Sequence, residues 1–234
     1  MHLAEIDRIS NNTYSYFHRA RVVSKFFFTI LMVAAFIMSD DILMGLLLLG
    51  VILLSFWIGK VPLGIVLQLA LYPAFFSSIF ALMEMGNSIT GGFLIIIRAV
   101  GAGMTMALLI TTTPYTDLFS FLSLWMPTLL VDVFMFTYRG VFILIEKTTN
   151  LMKSMRLRGG YDSFNIFKNG KNIVGTIGVM IITSFDMSER MYKIYSLRGY
   201  RGGIKSDVEL WPLRIEDVLI MLVAIGAMIG VNVK

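Results

Sequence analysis

Residues 93–112 read FLIIIRAVGAGMTMALLITT, twenty residues carrying one charge, Arg98. A helix rises about 1.5 Å per residue, so twenty residues reach across the roughly 30 Å hydrocarbon core of a bilayer. An open strand of this composition would leave its backbone N–H and C=O groups without partners in lipid, so the stretch is expected to be a helix. Three further apolar runs lie upstream, at residues 23–38, 42–58 and 61–83, separated by the short polar breaks Ser39-Asp40-Asp41, Gly59-Lys60 and residues 84–92. The whole chain has the same character. Of its 234 residues 57% are hydrophobic and 15% charged, with a mean hydropathy of +0.78. Soluble domains are nearer half apolar and a quarter charged. Seventeen Met and eighteen Phe in such runs exceed what a soluble core of this length could hide. A soluble fold is excluded.

Charge orients the spans. Glu5, Asp7, Arg8, Arg19, Arg21 and Lys25 precede or open the first run, and no small-residue cleavage pattern follows it. A retained, cytoplasmic N-terminus is therefore expected rather than a secretory signal. With four spans following, residues 113 to about 214 fall on the cytoplasmic side, and eighteen of the twenty Lys and Arg lie inside, Arg98 and Lys234 being the exceptions. The opposite orientation would break the positive-inside rule at nearly every cation. The chain has no cysteine and only two histidines, His2 and His18, so disulfides and a self-contained transition-metal site are not expected.

After Thr111-Thr112-Thr113-Pro114 the chain changes character, hydroxyls followed by proline marking a helix start. A short segment runs to Trp125, and Pro127 starts another that meets no strong breaker except Gly140 until Arg158. Residues 127–158 make about 48 Å of helix, too long for a simple span. A second long segment, residues 171–198, is apolar in its first half and amphipathic in its second, and residues 219–231, preceded by Trp211-Pro212, read as a last span.

Two stretches repeat forty residues apart. Lys153-Ser154-Met155-Arg156-Leu157-Arg158-Gly159 aligns with Lys193-Ile194-Tyr195-Ser196-Leu197-Arg198-Gly199, with Lys, Leu, Arg and Gly at identical offsets. Each Leu-Arg-Gly ends a long helix. Glycine just past a helix end accepts the left-handed conformation that satisfies the last carbonyls, and arginine there complements the negative end of the helix dipole. Two ordinary capped ends would need no more than this. Two copies facing one compartment, flanked by the extra cations Arg156 and Arg201, read instead as paired docking tips. The arginine fork pairs with carboxylates bidentately, so an acidic partner surface is the matching chemistry.

With these residues in place, the chain resembles the T component, or transmembrane coupling subunit, of energy-coupling-factor (ECF) transporters, in its cobalt-type permease form. That family carries two X-Arg-X motifs, typically Ala-Arg-Gly, at the ends of two cytoplasmic coupling helices. Leu157-Arg158-Gly159 and Leu197-Arg198-Gly199 match, with leucine standing for alanine. Thr111-Thr112-Thr113-Pro114, Asp117-Leu118, Pro127, Tyr138-Arg139 and Glu146 match further, and Ile6-Asp7-Arg8 with His18 and Lys25 resembles the opening of cobalt-type members. The resemblance implies an all-α integral membrane protein of about five transmembrane helices plus a cytoplasmic coupling section of about three, two of them long and crossing. Residues 1–112 would hold spans one to four, residues 113–213 the coupling section, and residues 214–234 the last span. It implies a non-catalytic subunit in a prokaryotic plasma membrane that binds two cytoplasmic ABC ATPases through the arginine tips. A separate substrate-capture (S) component in the membrane is its other partner, and no nucleic acid is. ATP and Mg would be bound by the ATPases and no cofactor by this chain; the cargo would be cobalt or nickel, with a vitamin such as biotin or riboflavin as the alternative.

Other polar residues leave two readings open. Asp132, Arg139, Glu146 and Lys153 recur every seven positions and share a face, which is either a solvated stripe or a set in which Arg139 and Glu146 pair with the second long helix. Arg98 within a span needs a partner, for which Glu84 is the candidate, or lines a transport pathway. Neither Gly59-Lys60 nor Gly170-Lys171 sits in a phosphate-binding G-x-x-x-x-G-K-[ST] loop, which excludes a P-loop ATPase. A self-sufficient secondary transporter is the competing class, but it would show its repeat across the spans rather than in the two long helices.

Overall fold

Each apolar run becomes a helix, and each polar break becomes the turn between two of them. The computed structural model describes residues 10–11, 15–86, 88–159, 166–203 and 214–232. Among the described residues there are helices and no strands: α1 (Tyr16–Arg19), α2 (Val22–Met38), α3 (Ile42–Ile58), α4 (Leu63–Glu84), α5 (Ile89–Thr112), α6 (Tyr115–Leu122), α7 (Thr128–Leu157), α8 (Ile166–Leu197) and α9 (Ile215–Asn232). The all-helical membrane fold read from the sequence is what the chain adopts. The residues His2, Ile6-Asp7-Arg8 and Trp211-Pro212 lie outside the described set.

Boundaries move where capping chemistry overrides hydropathy. Helix α5 starts at Ile89 rather than residue 93 because the Ser88 hydroxyl accepts the Gly91 N–H at 3.2 Å, closing the first turn. Helix α4 starts after Pro62, and α6 stops at Leu122, short of the expected Trp125. Helix α8 begins at Ile166, ahead of residue 171, and α9 runs from Ile215, ahead of residue 219. By length and composition four helices can cross a membrane, Gly64–Glu84 of α4, α5, α7 and α9, while α2 and α3 are apolar at 17 residues each.

The chain divides into two compact units, Met1–Phe121 with Asp207–Lys234, and Leu122–Ser206. In the first, α5 is the hub, packing against α2, α3 and α4. Small residues let the backbones approach, as is common where helices meet in lipid. A Cβ on Gly101 would fall 2.2 Å from the Phe36 ring of α2, and one on Gly103 would fall 2.7 Å from Pro73 of α4. The core is built on Phe28, Met32, Phe36, Ile52 and Phe56, each almost fully buried.

Three polar contacts tie this apolar unit together. The fully buried Asp217 of α9 accepts the Arg21 N–H and the Ser24 hydroxyl through Oδ1, and the Arg214 N–H through Oδ2, each at 2.7 Å. It caps its own helix and the start of α2 with one side chain. Lys25, also buried, donates to the Thr112 carbonyl at 2.8 Å and so closes the C-terminal end of α5. Arg98 pairs with Asp40 at 2.9 Å and donates through Nε to the Ser39 carbonyl at 3.0 Å, not to Glu84. The end of α2 presents an unpaired carbonyl and the negative end of its dipole, and the carboxylate that follows it completes the site for a guanidinium. Arg98 thus locks the α2–α3 turn.

Candidate functional site

The second unit consists of α7, 30 residues, and α8, 32 residues, packed antiparallel. The pairing is read from contacts that step down one helix as they step up the other. Phe136 packs on Tyr195 with ring centroids 4.6 Å apart, and Arg139 Nη1 donates to the Tyr195 hydroxyl at 3.0 Å. Gly140 leaves room for Met187, whose Cε would lie 3.4 Å from a Cβ there. Further along, the Thr148 hydroxyl meets Met180 Sδ at 3.2 Å and the Thr176 hydroxyl meets Met155 Sδ at 2.6 Å. Unbranched methionine fills the irregular space between the helices.

Antiparallel packing separates the two Leu-Arg-Gly motifs. One ends α7 beside Thr176 and the other ends α8 beside Arg139, so the motifs occupy opposite ends of the pair. From Thr176 to Tyr195 the helix rises about 29 Å at 1.5 Å per residue, and the three residues from Met155 to Arg158 and from Tyr195 to Arg198 add about 9 Å, which sets the spacing of the tips at about 38 Å. At both ends the leucine points outward: Leu157 and Leu197 are each 89% exposed. Arg158 and Arg198 are exposed as well, with Gly159 at φ +70° and Gly199 at φ +77°. Arg156 sits one residue inside the first tip, and Arg201 follows the second. An exposed leucine flanked by arginine, twice, on two helix ends is a knob with a charged collar.

The second tip is built more elaborately. Tyr200 N–H bonds the Tyr195 carbonyl at 2.9 Å and Gly199 N–H bonds that of Ser196 at 3.0 Å, the paired bonds of a Schellman end, with the Tyr195 and Tyr200 rings 6.1 Å apart as its apolar contact. The chain then turns back, so that buried Asp132 of α7 accepts from the Tyr200 hydroxyl and from the Gly203 N–H, the latter at 2.7 Å. That hydrogen bond to the Asp132 carboxylate pushes the Tyr200 phenol above its ordinary value near 10. A raised acid pKa means the contact contributes fully below the unfolded value and is lost only as pH rises through the raised one, so the clamp holds throughout neutral pH.

The seven-residue stripe therefore divides. Asp132 is a buried clamp and Arg139 pairs across to α8 through a tyrosine rather than a carboxylate. Glu146 and Lys153 are exposed, and Glu146 has no bonding partner among the described residues. Sequence reasoning missed Asp132, Phe136, Tyr195 and Tyr200 as the frame of the second tip. A tyrosine one residue past the capping glycine was the available signal. Replacing Asp132 with Ala should free the return loop, at about 1.5–3 kcal/mol for a hydrogen bond to a charged group. Trypsin should then cut after Arg198 and Arg201 at least tenfold faster, with cleavage after Arg158 unchanged.

Among the described residues no cluster of His, Asp and Glu could hold a metal ion. The molecule is a multi-pass helical membrane protein that presents two basic helix ends from one antiparallel pair. It belongs to the CbiQ family, described as cobalt transport protein, which it matches over residues 14–210. It is 28% identical over 156 residues to an uncharacterized protein of Methanocaldococcus jannaschii, covering 62% of this chain and 58% of that one. It is 26% identical over 110 residues to a chain of Methanocorpusculum labreanum named as a fused cobalt transport protein, CbiMQ, covering 47% of this chain and 18% of that one. The chain thus spans about three fifths and about one fifth of these relatives' lengths.

Proposed function

We propose that this chain is the coupling subunit of an ATP-driven importer of the ECF type, working in a prokaryotic plasma membrane with cobalt or nickel as cargo. Two cytoplasmic ATPases, which bind ATP and Mg, dock on its arginine tips, and a separate capture subunit in the membrane receives the movement. The family assignment supports transport, and the name of the Methanocorpusculum relative supports cobalt. The observation that carries the coupling role is the pair of Leu-Arg-Gly ends, each glycine-capped with its leucine and arginine exposed, held about 38 Å apart by one antiparallel helix pair. Such a pair transmits a rigid-body displacement applied at either end.

The spacing also bears on topology. A pair whose tips are about 38 Å apart could stand across the roughly 30 Å hydrocarbon core with its tips among the headgroups, and α7 is apolar enough to do so. Standing so, it would put Arg158 and Arg198 on opposite faces of the membrane, and one tip would be out of reach of a cytoplasmic partner. Both tips serve ATPases only if the pair lies along the inner surface. Because the chain has no cysteine, Leu157→Cys and Leu197→Cys introduce clean single labels. A membrane-impermeant maleimide should modify both in inverted vesicles and neither in intact cells. Labelling of the two positions from opposite sides would refute the in-plane placement and the two-tip reading with it. Reconstituted with the ATPases and the capture subunit, the wild-type chain should support ATP-dependent cobalt uptake, and vesicles lacking it should not.

A further inference from the structure

The two ends of the helix pair differ chemically. Beside the second tip, α7 and α8 enclose a groove of about 380 Å³ whose walls carry Arg139, Lys147, Arg190 and Arg198, with Asp186 the sole acid among the described residues. These positions follow helical spacing. Arg139 and Lys147 are eight residues apart on α7, and Asp186, Arg190 and Arg198 recur at multiples of four on α8, so each helix turns one face to the groove. Lys147, Arg190 and Arg198 form no ion pair among the described residues, whereas Lys193, on another face of α8, is neutralised by Glu189 at 2.7 Å. Toward the first tip, among the described residues, a hollow of about 360 Å³ along α7 is mostly apolar in surface, lined by Ile145, Thr148, Thr149 and Met152 with Lys153 and Arg156.

We propose that the cationic groove takes an extended acidic segment of the ATPase docked at the second tip, so that the two docking ends are unequal, each gripped by its arginine but only the second backed by a further electrostatic surface. This rests on the docking role assigned above and extends it. Arg198 belongs both to the tip and to the groove wall, so a partner gripping the tip already has its surface at the groove mouth. From Arg139 to Lys147, or from Arg190 to Arg198, the wall runs about 12 Å. That matches roughly four residues of extended chain at 3.3 Å each, a better fit to several carboxylates in a row than to one phosphate. A lipid would be better served by the opposite face of the pair, where Phe136, Tyr192 and Tyr200 line an aromatic groove of about 420 Å³.

The test isolates each end. In an Arg158→Glu background only the second tip docks, and in an Arg198→Glu background only the first. Lys147→Glu with Arg190→Glu should weaken binding of the partner ATPase at least tenfold in the first background and less than twofold in the second. Raising salt from about 0.05 to 0.5 M should weaken the second end about tenfold and the first less than threefold, since exposed charges are screened. The milder pair Lys147→Gln with Arg190→Gln should lose about threefold at the second end, which guards against a folding defect in the reversal variants. Equal weakening at both ends, or none, would overturn the inference and leave tip docking intact. Loss of binding to vesicles rich in phosphatidylglycerol, with ATPase binding unchanged, would make the groove a lipid site and also overturn it. If Arg158→Glu combined with Arg198→Glu binds ATPase like wild type, the docking role itself fails.

Discussion

The double variant Arg158→Glu with Arg198→Glu should insert in the membrane and unfold like wild type, yet bring down no ATPase and support no ATP-dependent uptake. Both side chains are exposed at helix ends, Arg158 follows the last residue of α7, and α8 is not among the membrane-spanning candidates, so no buried contact is lost. What is lost lies in the complex. Reversing a hydrogen-bonded interfacial charge costs roughly 2–5 kcal/mol or more, and each 1.4 kcal/mol is about tenfold in affinity. Single reversals should leave partial assembly through the remaining tip. Arg→Lys keeps the charge and loses the fork, so it should fall between wild type and reversal. Co-purification and uptake in reconstituted vesicles, read on wild type, both single reversals, the double reversal and the Arg→Lys variants, check the series. A double variant that assembles and transports normally would reduce the two motifs to helix caps.

Asp217→Ala should be the most destabilising single change in the first unit. The side chain is fully buried and satisfies three donors, the backbone N–H groups of Arg21 and Arg214 and the hydroxyl of Ser24. Its removal strands those donors away from water, at about 1–3 kcal/mol each, and separates α9 from the start of α2. Relaxation of the Ser24 hydroxyl recovers part, so the expected loss is about 3–5 kcal/mol. For a chain of this size that is roughly a 10 °C fall in the unfolding midpoint of the detergent-solubilised protein. Asn restores one acceptor but turns an N–H₂ toward one set of donors, so Asp217→Asn should recover less than half of the loss. A midpoint within about 2 °C of wild type for the Ala variant would show that the carboxyl is not the tie between the two helices.

The helix inventory was written in the sequence because its cause is local. An apolar run of 17 to 24 residues must be helical in lipid wherever its neighbours lie, which is why residues 42–58 and the end of α5 at Thr112 are matched without error. The glycine-capped ends at Leu157-Arg158-Gly159 and Leu197-Arg198-Gly199 were legible for the same reason, since a C-cap is a contact between residues within six positions of each other. The polar ties were not. Lys25 meets Thr112 across 87 positions, Asp217 meets Arg21 across 196, and Asp132 meets Gly203 across 71. A side chain's type says that it needs a partner, and only the packed chain decides which one, so Glu84 was a reasonable partner for Arg98 and Asp40 the real one. The tips show the division most clearly. Their chemistry follows from seven residues read twice, but their placement at opposite ends of one antiparallel pair, beside two unlike grooves, follows from how α7 and α8 pack, because direction and spacing are properties of the pair and of neither helix alone.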